Sequence, residues 1–442
     1  MEGNRVAVAL LFGGRSAEHE VSRSSAANVY QALRTDRYDI SLIGISKAGR
    51  WHLVDVDLVQ PETAMPEMSP DAPQVTLVPG GGGRLIFVDG AATNTSAALK
   101  FDVIIPVMHG PNCEDGTIQG VLELADVAYV GSGVAASAAA MDKDIAKRLM
   151  RDAGLPIVPF ISCNTRSSIS YTDAAATLGT TDLFIKPANL GSSVGVSRAQ
   201  SDAEFAAACA LAFRYDSKVL IEQCLSGARE IECSVLEEAG GDIRVSQPGE
   251  IVPASQHGFY SYEAKYLDPE GAGLHVPADL TANEARQFQD LAAQVFQVIG
   301  CEGMARIDFF YDDKAGRLFV NEVNTLPGFR TYAKLTAAIY GWSRADGVVP
   351  FRMECIPLDI EYPHLCLADL YAFFIDPRVK RALDLQAGLG RGSRDEFDNG
   401  QSVRQRPAAP SLRDMAEEAV LDLVPLCAAE TYEERSNDRI II

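Results

Sequence analysis

Three oxygen-bearing side chains, Asp308, Glu322 and Asn324, lie in two apolar segments that are predicted to pair as a hairpin. The segments are residues 304–311 and 317–324, and the Asp-Lys-Ala-Gly stretch between them suits a tight turn. Glu322 and Asn324 are two positions apart, so they point to one face of their strand, where Asp308 can meet them. Carboxylate and amide oxygens suit Mg²⁺ that carries substrate phosphates. The same residues could instead form the wet polar face of an ordinary hairpin.

A second candidate site is a glycine- and serine-rich loop, residues 189–195, which follows Lys186 on a predicted strand. Glycines allow a backbone to approach phosphates closely, and the hydroxyls of Ser192 and Ser193 can donate hydrogen bonds to them. The spacing does not match the GxxxxGK[ST] pattern, so a P-loop is not indicated. The loop therefore predicts a phosphate site of another kind.

Near the N-terminus, Gly13 and Gly14 follow the first predicted strand, and Glu18 stands at the start of a helix. A helix start can hold an anion, but the complete GxGxxG pattern of dinucleotide sites is missing. Glu18 could simply favour the helix dipole, or it could bind an ammonium group. His109 ends another strand at the carboxyl edge, where open α/β sheets bind ligands, although a lone loop histidine can equally be structural.

Two glutamates, Glu222 and Glu230, lie on strands predicted from residues 219–225 and 229–237. On a solvent-facing sheet they would be ordinary surface carboxylates. Beside a bound nucleotide they could contact the adenine and the ribose. Sequence spacing alone leaves both interpretations open.

The overall composition limits the classes of function. At 442 residues, 47% of them apolar, the chain is long enough for two to four globular domains. The net charge of −21 argues against a nucleic-acid or anionic membrane partner, and no apolar run approaches the ~20 residues of a membrane span. Nine dispersed cysteines predict reduced thiols, and a first strand without a basic leader predicts a cytoplasmic protein.

The order of the elements predicts the fold class. In residues 1–135, strand-like apolar runs alternate with helical patterns, which indicates an α/β domain built on a parallel sheet. Further strands follow, and residues 284–300 have the pattern of an amphipathic helix. Residues 388–410 are polar and rich in Arg, Gly and Ser, which is typical of a linker.

Several segments, taken in order along the chain, resemble the D-alanine–D-alanine ligases of the ATP-grasp superfamily. They span residues 5 to about 329 and are LFGGRSAEHEVS, PVMHGPNCEDGTIQG, AAAMDKDIAKRLMRDAGLP, FIKPANLGSSVGVS, FYSYEAKYLD, RIDFFY and NEVNTLPGF. The resemblance implies that the N-terminal α/β domain is followed by a two-lobed ATP-grasp fold of the α+β class. The implied units are a substrate domain 1–135, a central lobe 136–236, a C-terminal lobe with the metal site 237–346, and an unassigned tail 347–442.

The resemblance also implies an activity: two D-alanines are joined through a D-alanyl phosphate, with release of ADP, for peptidoglycan precursor synthesis. The residues implied to contact ATP are Lys143, Lys186, Ser192 and Ser193 at the phosphates, Glu222 and Leu225 at the adenine, and Glu230 at the ribose. Two Mg²⁺ ions, for which Mn²⁺ could substitute, would be held by Asp308, Glu322 and Asn324.

For the first amino acid, the resemblance implies that Glu18 binds the ammonium group and that His109 lines the pocket. Arg306 and the Gly328 amide would stabilise the oxyanion, with Ser192 closing over the reacting groups. A homodimer is expected, because members of the family typically dimerise through the N-terminal domain.

Lys265 and Tyr266 would lie on a loop that covers the site. In the family, this pair is associated with D-alanine rather than lactate as the second substrate. The resemblance therefore implies D-alanine at both amino-acid positions.

The resemblance ends after Gly328. Family members hold the carboxylate of the second substrate with a serine, whereas Ala333 stands at that position. Arg330 or Lys334 could supply a cation in its place. Two alternatives to an active D-alanine–D-alanine ligase follow: a degenerate ATP-grasp protein that binds nucleotide without forming a peptide, and a ligase with a different second substrate.

Overall fold

The computed structural model describes residues 5–33, 35–60, 63–88, 99–237, 241–254 and 271–327. Six positions singled out in the sequence lie outside these ranges, as does the tail, residues 347–442; they are Lys265, Tyr266, Gly328, Arg330, Ala333 and Lys334. Within these ranges, none of the helices combines the length and the apolar character that crossing a membrane requires.

The described part of the chain contains both strands and helices. Its strands are β1 (Val6–Gly13), β2 (Tyr38–Ile45), β3 (Trp51–Val54), β4 (Val75–Leu77), β5 (Arg84–Phe87), β6 (Leu99–Lys100), β7 (Val103–Val107), β8 (Ala128–Tyr129), β9 (Phe160–Asn164), β10 (Leu183–Pro187), β11 (Ser197–Ala199), β12 (Lys218–Gln223), β13 (Arg229–Glu237), β14 (Ile243–Val245), β15 (Gly249–Pro253), β16 (Ala272–His275), β17 (Met304–Asp312) and β18 (Arg317–Asn324). Its helices are α1 (His19–Ala32), α2 (Thr117–Leu124), α3 (Val134–Met141), α4 (Lys143–Asp152), α5 (Tyr171–Leu178), α6 (Asp202–Ala212) and α7 (Ala282–Ile299), with a short 3₁₀ helix at Val56–Leu58.

The first sheet has the strand order β3-β2-β1-β7-β8, and β4, β5 and β6 form a small separate sheet. β1 pairs in parallel with β2 and β7, and β7 pairs in parallel with β8. Alternate residues of β1 face opposite sides, so Val8, Leu10 and Phe12 enter one core cluster while Ala9 and Leu11 enter another. The predicted parallel sheet is confirmed, with the antiparallel strand β3 added at one edge.

The second sheet, β11-β10-β12-β9, is antiparallel throughout. Ile185 and Ile221 pack with Phe205 of α6 in a buried cluster on one face. Because side chains alternate along a strand, Lys186 and Glu222 point to the opposite face. This sheet therefore presents a charged face away from its own helices.

The third sheet has the order β16-β15-β13-β17-β18, with β14 paired to β13. Ile307 and Phe309 of β17 pack with Phe288 of α7, and the rings of Phe288 and Phe309 meet edge to face at 5.3 Å. Helix α7 begins with a capping box between Thr281 and Glu284, which satisfies backbone donors of its first turn. Packing against this helix buries the face of β17 that carries Ile307 and Phe309.

The hairpin of β17 and β18 contains a β-bulge. Phe309 pairs with Val320, but Asp308 pairs with Glu322, so Asn321 is an extra residue in β18. Val320 and Val323 are consequently both buried against α7 although they are three positions apart. Between them, Asn321 and Glu322 both lie on the polar side. The predicted hairpin is confirmed, and the bulge was not foreseen.

Candidate active site

Arg306 and Asp308 form the centre of the polar face of this hairpin. Arg306 Nε and Nη2 donate to the two carboxylate oxygens of Asp308 at 2.6 and 2.7 Å. Asn324 Nδ2 donates to Asp308 Oδ2 at 3.1 Å. On the other side, Glu232 pairs in register with Asp308, and its Oε1 lies 3.5 Å from Arg306 Nε. Strands β13, β17 and β18 thus contribute to a single polar cluster.

The charges of this cluster influence one another strongly. Burial raises the pKa of Asp308 to about 6, and the carboxylates of Glu232 and Glu322 act in the same direction while Arg306 opposes them. Burial disfavours the charged form of Arg306, but Asp308 and Glu232 outweigh it and raise the pKa of the guanidinium. A further cation beside Asp308 would therefore stabilise its ionised form and lower its pKa.

Asp308, Glu322 and Asn324 fit a divalent metal by their donor chemistry. Two carboxylates and an amide oxygen are hard ligands, and Glu322 lies directly opposite Asp308 on the neighbouring strand. Within the described ranges, no group of three or more His, Cys, Asp or Glu side chains is arranged to hold a metal. A site with two carboxylates agrees with that finding, because Mg²⁺ commonly takes its remaining ligands from phosphates and water.

Two lysines approach the hairpin at the bulge. Lys143, the first residue of α4, donates to the Leu190 carbonyl at 2.7 Å, and its Nζ lies 3.6 Å from Glu322 Oε2. Lys186 donates from Nζ to Asn321 Oδ1 at 3.4 Å. Lys143 therefore joins Glu322 of the hairpin to the glycine- and serine-rich loop, and both lysines are cations of the kind that bind phosphates.

The loop itself is strained and lies against Glu18. Ser192 and Ser193 have φ of +55° and +59°, a left-handed conformation that costs of order 1–3 kcal/mol for such residues. The Ser192 hydroxyl donates to the Glu18 carboxylate. Gly110 allows that approach, because an added Cβ would lie 2.7 Å from Glu18 Oε2. The Glu18 side chain makes no capping hydrogen bond in α1, so its carboxylate is directed to this junction.

His109 lies in the same region and is buried. Its Nε2 is 3.1 Å from Ser25 Oγ, and its Nδ1 is 3.6 Å from Glu114 Oε1. Burial lowers the pKa of His109, but the hydrogen bond and charge of Glu114, with the charge of Glu18, raise it overall. Burial likewise raises the pKa of Glu114. The histidine is thus held by a carboxylate partner close to Glu18.

Replacement of Glu114 by Gln is expected to lower the pKa of His109, because burial remains while the favourable charge is lost. The raised pKa in the parent contributes stability that is complete below the ordinary histidine pKa and is lost as pH rises through the folded-state value. A ¹H–¹⁵N NMR titration of the imidazole measures the shift. Glu123→Gln is the control, because Glu123 accepts from Tyr129 instead. An unchanged His109 titration in E114Q would contradict the expectation.

Glu222 lies between two lysines on the charged face of the second sheet. Its Oε2 is 2.6 Å from Lys186 Nζ, and its Oε1 is 3.1 Å from Lys147 Nζ. In register it lies opposite Phe184 on one side and Phe160 on the other. Burial raises the pKa of Glu222, but the two lysines outweigh burial and lower it overall. Glu222 is therefore an ionised acceptor between two aromatic residues.

The other two predicted nucleotide contacts lie nearby in the chain. Leu225 follows β12, is half-buried, and accepts a hydrogen bond through its carbonyl from the Ala228 amide at 3.1 Å. Glu230 on β13 pairs with Phe310, two residues before Glu232, and so shares the face of the Asp308 cluster.

Three residues of the site escaped the sequence analysis: Lys147, Glu232 and Asn321. Lys147 follows Lys143 by four residues in α4, and this helical spacing places both on one face. Glu232 follows Glu230 by two residues in a strand, which also predicts a shared face. Asn321 had no such signal, because its direction depends on the bulge.

Comparison with known families agrees with this arrangement. The model of the D-ala D-ala ligase N-terminus matches residues 7–132, and the model of the D-ala D-ala ligase C-terminus matches residues 149–347. The chain belongs to the D-alanine–D-alanine ligase family. The predicted family and enzyme class are confirmed, and membership implies the use of ATP and of a divalent metal in general.

Curated relatives of this D-alanine–D-alanine ligase family are similar over most of their length. A D-alanine–D-alanine ligase B from Bradyrhizobium diazoefficiens is 60% identical over 350 residues, which are 78% of this chain and 92% of the relative. A D-alanine–D-alanine ligase from Methylobacterium sp. (strain 4-46) is 53% identical over 354 residues, 79% of this chain and 90% of the relative. These relatives lend no support to the degenerate nucleotide-binding alternative.

Solved structures of ligases share the fold. The D-alanine–D-alanine ligase from Coxiella burnetii has a TM-score of 0.68 and 30% identity, covering 88% of this chain and 98% of that one. The VanG D-Ala:D-Ser ligase from Enterococcus faecalis has a TM-score of 0.66 and 31% identity, covering 77% and 95%. The mixed α/β architecture expected of the ATP-grasp family is thereby confirmed.

Proposed function

We propose that this chain joins two D-alanines to D-alanyl-D-alanine, with cleavage of ATP to ADP, as a step of peptidoglycan precursor synthesis. The observation that carries the proposal is the position of one short loop. Its Ser192 hydroxyl donates to Glu18, and its Leu190 carbonyl accepts from Lys143. The same stretch of chain thereby contacts both the carboxylate that we propose binds the ammonium group and the lysine that we propose binds phosphate.

In the proposed first step, Glu18 binds the ammonium group of the first D-alanine near His109. The carboxylate of that D-alanine attacks the γ-phosphate of ATP, forming D-alanyl phosphate and ADP. Lys143 and Lys186 offset the charge that spreads over the transferring phosphoryl group. Ser192 and Ser193 close over the phosphates and keep water from the reactive acyl phosphate.

Asp308, Glu322 and Asn324 are the residues proposed to hold divalent metal in this reaction. A metal bound there supplies neutralisation of phosphate charge. Two Mg²⁺ ions, with Mn²⁺ as a substitute, are the species expected from the family resemblance. Glu230 and Leu225 are proposed to contact the ribose and the adenine.

In the proposed second step, the amine of the second D-alanine attacks the carbonyl of D-alanyl phosphate, and phosphate leaves. Arg306 is proposed to stabilise the oxyanion of the tetrahedral intermediate together with the Gly328 amide. The guanidinium is already fixed for such a role by its two hydrogen bonds to Asp308. Lys265 and Tyr266 are proposed to cover the site during this step.

The second substrate is a separate part of the proposal. Lys265 and Tyr266 favour D-alanine, whereas Ala333 replaces the serine expected at its carboxylate, and one similar solved structure is titled a D-Ala:D-Ser ligase. We infer that D-alanine is the second substrate, with Arg330 or Lys334 supplying the cation. The four units bounded at residues 135, 236 and 346, the homodimer and the cytoplasmic location are likewise proposed on the family resemblance.

The proposal is tested by incubating the full chain with Mg-ATP and D-alanine, alone or with D-serine or D-lactate. ADP release and a product with the mass of D-alanyl-D-alanine are the expected results. If the product that joins D-alanine to D-serine or D-lactate predominates when that compound is present, the second substrate is reassigned accordingly. ADP release without any peptide or ester product would refute the proposed ligation.

Replacement of Glu18 by Gln is expected to raise the KM for the first D-alanine by about 10- to 100-fold. A hydrogen bond to a charged group is worth about 1.5–3 kcal/mol, and each 1.4 kcal/mol is tenfold in affinity. Gln keeps an oxygen that can accept from Ser192, so the loop contact is retained. Steady-state kinetics of ADP release measure the change.

Glu20→Gln is the matched control, because Glu20 lies on the same helix but contacts Lys47 and Arg23 at the surface. Its KM for D-alanine should equal that of the parent. If E18Q and E20Q have the same KM for D-alanine, the proposed role of Glu18 is wrong.

A further inference from the structure

Lys147 is a lysine with no exposed surface in the middle of α4. Its relative exposure is 0%, and it shares the buried face of the helix with Ala146 and Met150. Burying an ammonium group is costly unless the charge is paired, whereas an apolar side chain would fill such a position cheaply. The proposed steps of the reaction do not use this residue, so its charge calls for a role of its own.

The ammonium group of Lys147 is directed at Glu222. Its Nζ lies 3.1 Å from Glu222 Oε1 and 5.7 Å from the centre of the Phe160 ring. Both atoms are buried, and neither has another hydrogen-bond partner among the described residues. Burial lowers the pKa of Lys147 to about 8, with Glu222 opposing the change. Lys147 and this oxygen of Glu222 therefore form a close ion pair in the interior, out of contact with solvent.

Lys186 holds the other oxygen of Glu222, at 2.6 Å. In the proposed reaction Lys186 serves the phosphates of ATP, so its attraction is then shared between Glu222 and the nucleotide. Lys147 lies on the buried face of α4, so it remains beside Glu222 when the nucleotide binds. One oxygen of Glu222 therefore stays held by Lys147 while the other becomes available for the nucleotide.

We propose that Lys147 is a positioning residue for nucleobase recognition. It holds Glu222 ionised and oriented between Phe160 and Phe184, so that the second carboxylate oxygen, the one beside Lys186, accepts a hydrogen bond from the exocyclic amino group of adenine. This inference rests on the proposed contact of Glu222 with adenine. It makes Lys147 a determinant of the preference for a 6-aminopurine over a 6-oxopurine nucleotide.

The test compares ATP with inosine triphosphate, whose base carries an oxygen in place of the amino group. In Lys147→Met, the KM for ATP is expected to rise about tenfold or more, and the ATP-over-ITP preference in kcat/KM should fall by a similar factor. The kcat at saturating ATP should stay within a few-fold of the parent. Calorimetric titration with ADP and IDP, without D-alanine, gives the same comparison independently of turnover.

Arg198→Met is the matched control, because it removes a cation paired with Asp182 on the same sheet. This variant should leave the KM and kcat/KM for both ATP and ITP unchanged. A purely structural role for Lys147 would lower kcat, or the unfolding temperature, without changing the ATP-over-ITP ratio, and that result would overturn the proposal. Where the methionine variant does not fold, Lys147→Gln, which keeps a donor without the charge, is measured in its place with the same criterion.

Glu222→Gln separates this inference from the contact on which it rests. If E222Q leaves the KM for ATP and the ATP-over-ITP ratio unchanged, the proposed contact of Glu222 with adenine is wrong. If E222Q lowers the ratio but the Lys147 variants do not, only the role of Lys147 is wrong. When both residues act as a unit, the double variant lowers the ratio no further than either single variant.

Discussion

ADP release by the Asp308→Asn variant is expected to be at least about a hundredfold slower than in the parent. Asp308 is one of two carboxylates proposed to hold metal, and charge neutralisation by a metal is worth several kcal/mol in the transition state. Each 1.36 kcal/mol is a factor of ten in rate. The substitution keeps the size of the side chain and removes its charge. A coupled assay of ADP release measures the effect.

A second measurement reports metal binding by the D308N variant independently of turnover. Thermal unfolding with increasing Mg²⁺ and ADP should show a smaller Mg²⁺-dependent rise in D308N than in the parent. Asp312→Asn is the matched control, because Asp312 lies on the same strand but pairs with Arg317 at its exposed end. Normal turnover by D308N, with D312N also normal, would remove Asp308 from the metal site.

The second large effect is expected at Arg306, in stability as well as in rate. Arg306→Met leaves Asp308 and Glu232 without the guanidinium that lies between them, and removing one partner of a largely buried ion pair costs about 3–5 kcal/mol. Arg306→Lys retains the positive charge but loses the two-pronged hydrogen bond to Asp308. Its kcat is expected to fall by about 10²–10³, the usual effect of losing an oxyanion donor.

The two variants distinguish these contributions. Denaturant unfolding should show R306M clearly destabilised and R306K close to the parent, while both are impaired in ADP-coupled ligation. Mass analysis of the R306K reaction should also reveal more hydroxamate when hydroxylamine traps the acyl phosphate, because the second step is the one impaired. Equal ligation rates in R306K and the parent would exclude the guanidinium as oxyanion donor.

The sequence predicted those parts of the site that local spacing determines. The hairpin of Asp308 and Glu322 was recognisable because strand alternation and the turn before Arg317 are local signals. The loop of Ser192 and Ser193 was recognisable from its glycines. The parallel first sheet followed from the alternation of strand and helix patterns.

Contacts between distant segments were not predictable in this way. Neither the approach of Glu232 to Arg306 nor that of Lys147 to Glu222 has a signature in spacing, because each depends on how packed elements bring side chains together. A lysine on an amphipathic helix is ordinarily assigned to the solvent face. Only the packing of α4 shows that Lys147 belongs to the interior.

The extra residue in β18 has a consequence for how this strand can change in evolution. Asn321 accepts a hydrogen bond from Lys186, and the next residue, Glu322, lies opposite Asp308. The bulge thus places two adjacent side chains on the same polar face of the hairpin. Deleting Asn321 would restore a regular ladder and leave Glu322 opposite Asp308, whereas deleting Val323 would turn Asn324 toward the interior. A single deletion can therefore remove the contact with Lys186 and keep Glu322 opposite Asp308. These two contacts of β18 can change independently of each other in evolution.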